Sequence, residues 1–317
     1  MLTLSPAPVK DSRPAYRPFT ASVARLERLS PHFVRVTFTG DDLGGFGADR
    51  LDQRLKIVFP LEHTGMSDFG ATDPATITEG SWYSRWRALP DDARNPFRTY
   101  TVRAVRQQER EVDVDMVSHG DGGPASRWLN RAQPGDEVVL VGPDARSIHS
   151  AIGIDWHPGD ARRVLLVGDE TAAPAICSVL ESLPTGRTAH AFIEIPTGDD
   201  VLPVDVPPGS RITWLPRGNA PIGTALGPAV RTWVTHNRPL YRAAISSTAQ
   251  RLDDVDVDRE LIWDSPEAQS TGDFYAWLAG EAGVIKSLRR FLVSETGIDR
   301  KRIAFMGYWR AGKAEAQ

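Results

Sequence analysis

The sequence predicts two joined architectures: an antiparallel β-barrel in the first half, then an α/β layer with a parallel sheet and helices on both sides. Three observations carry this. Residues 16–60 and 97–142 hold short runs rich in Val, Phe, Tyr and Thr, often alternating and punctuated by Gly, Pro and Asp. From about residue 159 the pattern changes to continuous apolar runs separated by segments of helical spacing. The length, 317 residues, suits about two domains. The expected division is 1–158 and 159–317.

In the first half the predicted strands are 22–30, 32–40, 54–60, 97–105, 111–119 and 136–142. Between the third and fourth lies 61–95, a stretch of weak periodicity that reads as a long loop of functional or mobile type. In the second half 162–168 (RRVLLVG) reads as a strand buried on both faces, and 171–184 as a helix stopped by Pro184 and Gly186. Further strands fall at 190–196, 211–216, 273–279 and 302–309. Residues 281–296 carry apolar positions 284, 285, 288, 291 and 292, one face of a helix ending at Gly297. The stretch 237–272 has no clear pattern.

Composition removes several function classes. Hydrophobic residues make up 41% and charged residues 25%, as in an ordinary globular protein. A net charge of −4 offers no global field for nucleic acid. Cys177 is the only cysteine, so the chain forms no internal disulfide and no Cys-based zinc or iron–sulfur site. No run of about 18 apolar residues spans a membrane. The first 20 residues lack the apolar core of a secretory signal, which makes the cytoplasm the expected location. Only five of the 37 basic residues are lysines, at 10, 56, 286, 301 and 313, so each is singled out.

Four motifs carry chemistry. Arg98-Thr99-Tyr100-Thr101 lies on a predicted strand; alternation puts Arg98 and Tyr100 on one face, a cation and a flat ring side by side. His119-Gly120-Asp121-Gly122-Gly123-Pro124-Ala125-Ser126 is a glycine-rich approach to a helix start, the kind of place that binds phosphate. Gly168-Asp169-Glu170-Thr171-Ala172-Ala173-Pro174 follows a buried strand and opens a helix, where α/β sheets bind ligands. Ala279-Gly280-Glu281 ends another strand, and Gly307-Tyr308-Trp309-Arg310-Ala311-Gly312 ends the last one. Each taken alone also fits a structural role: a surface strand, a standard helix start, a chain end packed on the sheet.

Taken in this order and spacing, RTYTVR, HGDGGPAS, GDETAAPAI, AGE and GYWRAG resemble the siderophore-interacting proteins, a branch of the ferredoxin reductase-like flavoenzymes. The resemblance runs from about residue 15 to 312. It implies a six-stranded antiparallel FAD-binding barrel followed by an NAD(P)H-type domain. It implies noncovalent FAD, a ferric siderophore as substrate, and NADH, NADPH or a ferredoxin as electron donor. On this likeness Arg98, Thr99, Tyr100 and Thr101 contact the flavin, and His119, Gly123, Ala125 and Ser126 meet its pyrophosphate. Asp169, Glu170, Thr171 and Ala172 form the nicotinamide-side turn, with Gly280 and Glu281 opposite. Tyr308 and Trp309 lie beside the flavin.

The implied reaction is two-step: the donor reduces the flavin, which passes single electrons to chelated Fe(III), and Fe(II) leaves its hard oxygen ligands. Electron transfer needs no general acid or base, so no catalytic side chain is assigned, and no protein metal site is expected. An anionic chelate calls for cations, for which Lys56, Arg310 and Arg146 are the candidates. Arg217, after the 211–216 strand, is a candidate for the 2′-phosphate of NADPH, but it reads first as a surface arginine. Two other functions remain: a general NAD(P)H:flavin or ferredoxin reductase, and a siderophore-binding protein without enzymatic activity.

Overall fold

The computed structural model describes residues 9–118, 120, 122–252, 255–257, 260, 262–266 and 272–312. Contacts divide the chain into two units. The first comprises 1–28 and 34–154; the second comprises 29–33 and 155–316. The short segment 29–33 groups with the second unit because the buried Asp200 carboxylate accepts from Ser30 Oγ and the His32 amide.

The first unit is one curled antiparallel sheet. Its strands are β1 (Tyr16–Arg28), β2 (Phe33–Thr39), β3 (Arg54–Val58), β4 (Phe97–Thr101), β5 (Ala104–Arg106), β6 (Glu111–Val117) and β7 (Glu137–Pro143). Their order is β4-β3-β7-β1-β2-β6-β5. The two edge strands are halves of one run, the predicted strand 97–105. At its middle, Val102 donates to Gln53 on the β3 side and Arg103 donates to Asp113 on the β6 side. One stretch of chain therefore serves both edges, which turns the sheet into the six-stranded barrel the sequence implies. Alternating residues fill it: Phe19, Ala21 and Val23 of β1 meet Val34, Val36 and Phe38 of β2 and Leu55 and Ile57 of β3.

The stretch 61–95, read from sequence as a loop, forms a packed layer. It holds helices α1 (Pro74–Glu79) and α2 (Trp82–Arg87). Asp73 caps the first by accepting from the Ala75 amide, Pro74 occupies its first turn, and Gly80 ends it in a left-handed conformation. Trp82 and Trp86 bury against Phe69, Phe97, Val58, Val139 and Val141 on the barrel's outer face. The fully buried Asn95 amide ties the layer down by donating to Phe59 and Gly65. Helix α3 (Pro124–Arg131) presses Trp128 into the barrel, its ring 5.1 Å from Phe59 and 6.3 Å from Phe38.

The second unit is built on β8 (Arg163–Gly168), β9 (Thr188–Ile195), β10 (Arg211–Pro216), β11 (Trp263–Asp264), β12 (Phe274–Glu281) and β13 (Ile303–Trp309). The order is β10-β9-β8-β12-β13-β11. All neighbours run parallel except β11, a two-residue antiparallel edge in the stretch that gave no pattern. Its helices are α4 (Ala173–Glu181), α5 (Leu226–His236), α6 (Arg238–Tyr241) and α7 (Ala282–Arg289), the last passing into π-helical turns at 290–295. The chain winds β8→β9→β10 to one side and then β12→β13 to the other. The winding reverses between β8 and β12, and ligands of such sheets bind outside the carboxyl ends at that point. Among the described residues no helix is long and apolar enough to cross a membrane.

Candidate functional site

In the barrel unit the functional strand is β4. Its register against β3 pairs Leu55 with Tyr100, Lys56 with Thr99 and Ile57 with Arg98. Residues directly opposite in a ladder share a face. Arg98 and Tyr100 thus lie on the face of the core residues Leu55 and Ile57. Tyr100 packs against the cluster that contains Ala125 and Trp128 of α3. The strand motif and the helix-start motif, 20-odd residues apart in sequence, are brought together through that core. Arg98 is half-buried, its Nη1 donating to the Phe97 carbonyl at 2.7 Å. Thr101 is buried.

The approach to α3 leaves room. A Cβ added to Gly122 or Gly123 would meet nothing within 4 Å, so the protein's own packing does not require glycine there; Gly120 has room as well, but its φ of +43° favours glycine. Gly123 is the N-cap, and among the described residues no side chain caps the first amides of the helix. A cation, the hydroxyl of half-buried Ser126, free backbone space and an uncapped helix start form a donor set suited to a pyrophosphate. The flavin dinucleotide fits these residues. His119 lies outside the described residues.

Lys56 and Thr99 occupy the opposite, outer face. Lys56 Nζ donates to Thr99 Oγ1 at 3.2 Å and stands 4.6 Å from the centre of the Phe97 ring. The register therefore separates this ammonium from Arg98 and Tyr100 by the thickness of the sheet. Arg146 lies elsewhere again, its guanidinium on the buried Asp144 carboxylate, which Arg17 also contacts.

In the second unit, one carboxylate gathers three of the sequence motifs. Asp169, at the end of β8, is 1% exposed. Its Oδ1 accepts from the Thr171 amide at 2.9 Å and from Thr171 Oγ1 at 2.6 Å. Its Oδ2 accepts from the Glu281 amide at 2.7 Å and from Trp309 Nε1 at 2.8 Å. The β8 turn, the β12 end and the β13 end converge on it. Gly280 makes this closeness possible: its φ is +149°, and a Cβ there would lie 2.7 Å from Asp169 Oδ2. Glu281 extends the tie, its Oε2 capping α7 through the Val284 amide and its Oε1 accepting from Ala311. Tyr308 stacks on Trp263 at 5.9 Å, and Arg310 is half-buried.

Burial, and after it the neighbouring Glu170 charge, push the Asp169 carboxyl up to about 6, against the donors that pull it down. The Thr171 hydroxyl can turn to accept the extra proton. A folded-state pKa above the unfolded value means stability that is complete below about pH 4 and lost as pH rises through 6. We expect the stability advantage of the parent over Asp169→Asn to narrow by about 3 kcal/mol between pH 4 and 7. Urea titrations of both proteins across that range check it; a constant gap would show Asp169 ionised throughout.

Glu170, next in the turn, is fully buried and accepts both Nη atoms of Arg217, at 2.7 and 2.6 Å. Arg217 is thus an internal ion-pair partner instead of a surface cation. Two features escaped the sequence reading. Helix α5 buries Leu226, Val230 and Val234, a four-residue spacing visible in the sequence. Glu194, fully buried at the end of β9, accepts from the amides of Gly223, Ala225 and Leu226 that open the turn into α5. No motif flags it; a charged residue within the apolar run HAFIEIP is its only signal. Among the described residues no cluster of His, Cys, Asp or Glu is arranged to hold a metal ion.

Comparison with known proteins accounts for both units. Residues 22–147 match the model of the siderophore-interacting FAD-binding domain, and 161–312 match that of the siderophore-interacting protein family. An uncharacterised protein of Mycobacterium tuberculosis is 33% identical, over 95% of this chain and 93% of its own. The ferric vibriobactin reductase ViuB of Vibrio cholerae is 28% identical, over 92% of this chain and 89% of its own. A siderophore utilization protein from T. fusca superposes with a TM-score of 0.66 at 25% identity, over 96% of this chain and 97% of that one. The fold likeness extends to solved ferredoxin reductases. With both units matched in order, this chain belongs to the siderophore-interacting protein family, with its FAD-binding domain and ferredoxin reductase-like fold.

Proposed function

We propose that this protein reduces a ferric siderophore and so releases Fe(II), using noncovalent FAD and electrons from an external donor, a reduced nicotinamide or a ferredoxin-type protein. The observation that carries the reading is the β4–α3 constellation, where Arg98, Tyr100 and the uncapped, glycine-flanked helix start share one side of the barrel. ViuB, alike over nearly its whole length, is by its name a ferric reductase. Bound FAD would supply the single-electron chemistry that iron reduction needs. The chain's own part is placement. Arg98 and the α3 start would hold the pyrophosphate and Tyr100 would present its ring, while Thr99 and Thr101, whose side chains lie on the other face of β4, would offer backbone groups along the strand. The residues of the second-unit motifs, Tyr308 and Trp309 included, are proposed as cofactor-binding residues, tied to one another by Asp169 and Glu281.

The chelate is proposed to be drawn by Lys56, Arg146 and Arg310. Reduction lowers the iron's charge and its affinity for hard oxygen ligands, so release follows without a protein acid, base or metal ligand. The cytoplasm, where reduced carriers are abundant, is the setting this reading requires.

The test is anaerobic turnover of the FAD-loaded protein with an anionic ferric chelate, with Fe(II) trapped by a colorimetric chelator. Iron reduction well above that by free flavin supports the reading; turnover of free flavin alone points to a general flavin reductase. Because Lys56 stands on the face away from Arg98 and Tyr100, Lys56→Ala should raise KM for an anionic chelate several-fold, with kcat and flavin content nearly unchanged. The loss should shrink as salt rises. Equal loss for a cationic chelate would sink this role for the lysine.

A further inference from the structure

We infer that the carboxyl edge of the second unit's sheet gives no purchase to the adenylate half of a dinucleotide, because each group the fold offers for that task is already bound within the chain. The inference narrows the donor in the proposed function, yet it rests on this unit's geometry alone.

Open α/β sheets hold a dinucleotide in three recurrent ways. Amides at the start of the helix after the first strand take the pyrophosphate. A carboxylate after the next strand takes ribose hydroxyls, and a nearby arginine takes a 2′-phosphate. Each device has its counterpart here, and each is turned inward. At the β8–α4 turn, Asp169 Oδ1 takes the Thr171 amide, and the Asp169 carbonyl takes the amides of Ala172 and Ala173. Pro174 has no amide to give. The side chains at this point are two buried carboxylates, Asp169 and Glu170, which offer phosphate no donor. At the end of β9, Glu194 spends both oxygens on the amides of Gly223, Ala225 and Leu226, at 2.7 to 2.9 Å. Arg217, after β10, spends both Nη atoms on Glu170.

A 2′-phosphate would have to displace a carboxylate that is already paired, buried and bidentate. A pyrophosphate would find the Thr171, Ala172 and Ala173 amides taken. The adenylate half of NADH or NADPH therefore adds little to affinity, and the 2′-phosphate gives no discrimination between them.

The experiment is calorimetric titration of the full-length, FAD-loaded protein with ADP-ribose and with 2′,5′-ADP. Loading with FAD keeps these probes out of the flavin's own adenylate site. We expect no saturable binding tighter than about 1 mM for either probe. Saturable binding below that value by either overturns the inference. A second arm uses Glu170→Gln, which frees Arg217 while keeping the turn's shape. It should bring 2′,5′-ADP binding below about 1 mM and leave ADP-ribose unbound. A variant that binds 2′,5′-ADP no better than the parent overturns the assignment of Arg217's pairing as the cause. Failure of the flavin reading would show separately, as a protein without a flavin spectrum.

Discussion

Glu170→Ala should destabilise the protein by about 3–5 kcal/mol, the cost of leaving a buried charge without its partner. The reason is geometric. Glu170 is fully buried, and the Arg217 side chain is only 11% exposed. Glu170 regains no water when Arg217 is removed, and Arg217, partly exposed, regains only some of its own. Arg217→Ala should cost a similar amount, because the carboxylate would be left buried without its partner. Replacing both by apolar residues of like volume should cost less than either single change, since the two desolvation penalties vanish together. Urea titrations of the four proteins at neutral pH give the comparison. Single losses under about 1 kcal/mol would mean that the pair is solvated and behaves as a surface ion pair.

That pair marks where the sequence stopped being readable. The strands of both halves followed from alternation and apolar runs, because a one-residue error would have turned each hydrophobic set outward. The order of motifs along the chain was enough to place them on strand ends and helix starts. What a linear pattern lacks is the partner across space. Arg217 read as a surface cation because Glu170 lies 47 residues away, and their meeting depends on β9 and β10 adding beside β8. Asp169 read as a ligand-facing residue of one turn, whereas its donors come from Thr171, Glu281 and Trp309. Lys56 and Tyr100 both read as pocket residues, and only the β3–β4 register shows that they occupy opposite faces. The 61–95 layer read as a loop because its helices are six residues long, too short for periodicity to speak. Its Asp73-Pro74 start and Gly80 stop were the legible signs, and they are local capping chemistry.

Arg98→Ala should weaken FAD by about 1.5–3 kcal/mol, which is roughly a 10- to 150-fold rise in Kd. The guanidinium is half-buried on the core face of β4, its Nη1 held by the Phe97 carbonyl. A fork fixed in this way loses little freedom on meeting a pyrophosphate, and a charge-assisted contact in a partly enclosed site is screened less than one at the surface. Arg98→Lys should recover part of the loss, keeping the charge and surrendering the fork. Position on the sheet sharpens the test. Lys56→Ala removes a charge of the same sign from the adjacent strand but the opposite face, and should leave FAD affinity within about twofold, because from that face it makes no direct contact with the cofactor. Fluorescence titration of the flavin-free protein with FAD, at two salt concentrations, separates the cases. Equal effects of Arg98→Ala and Lys56→Ala would mean that the site reads net charge alone, and the assignment of the flavin to the Arg98–Tyr100 face would fall.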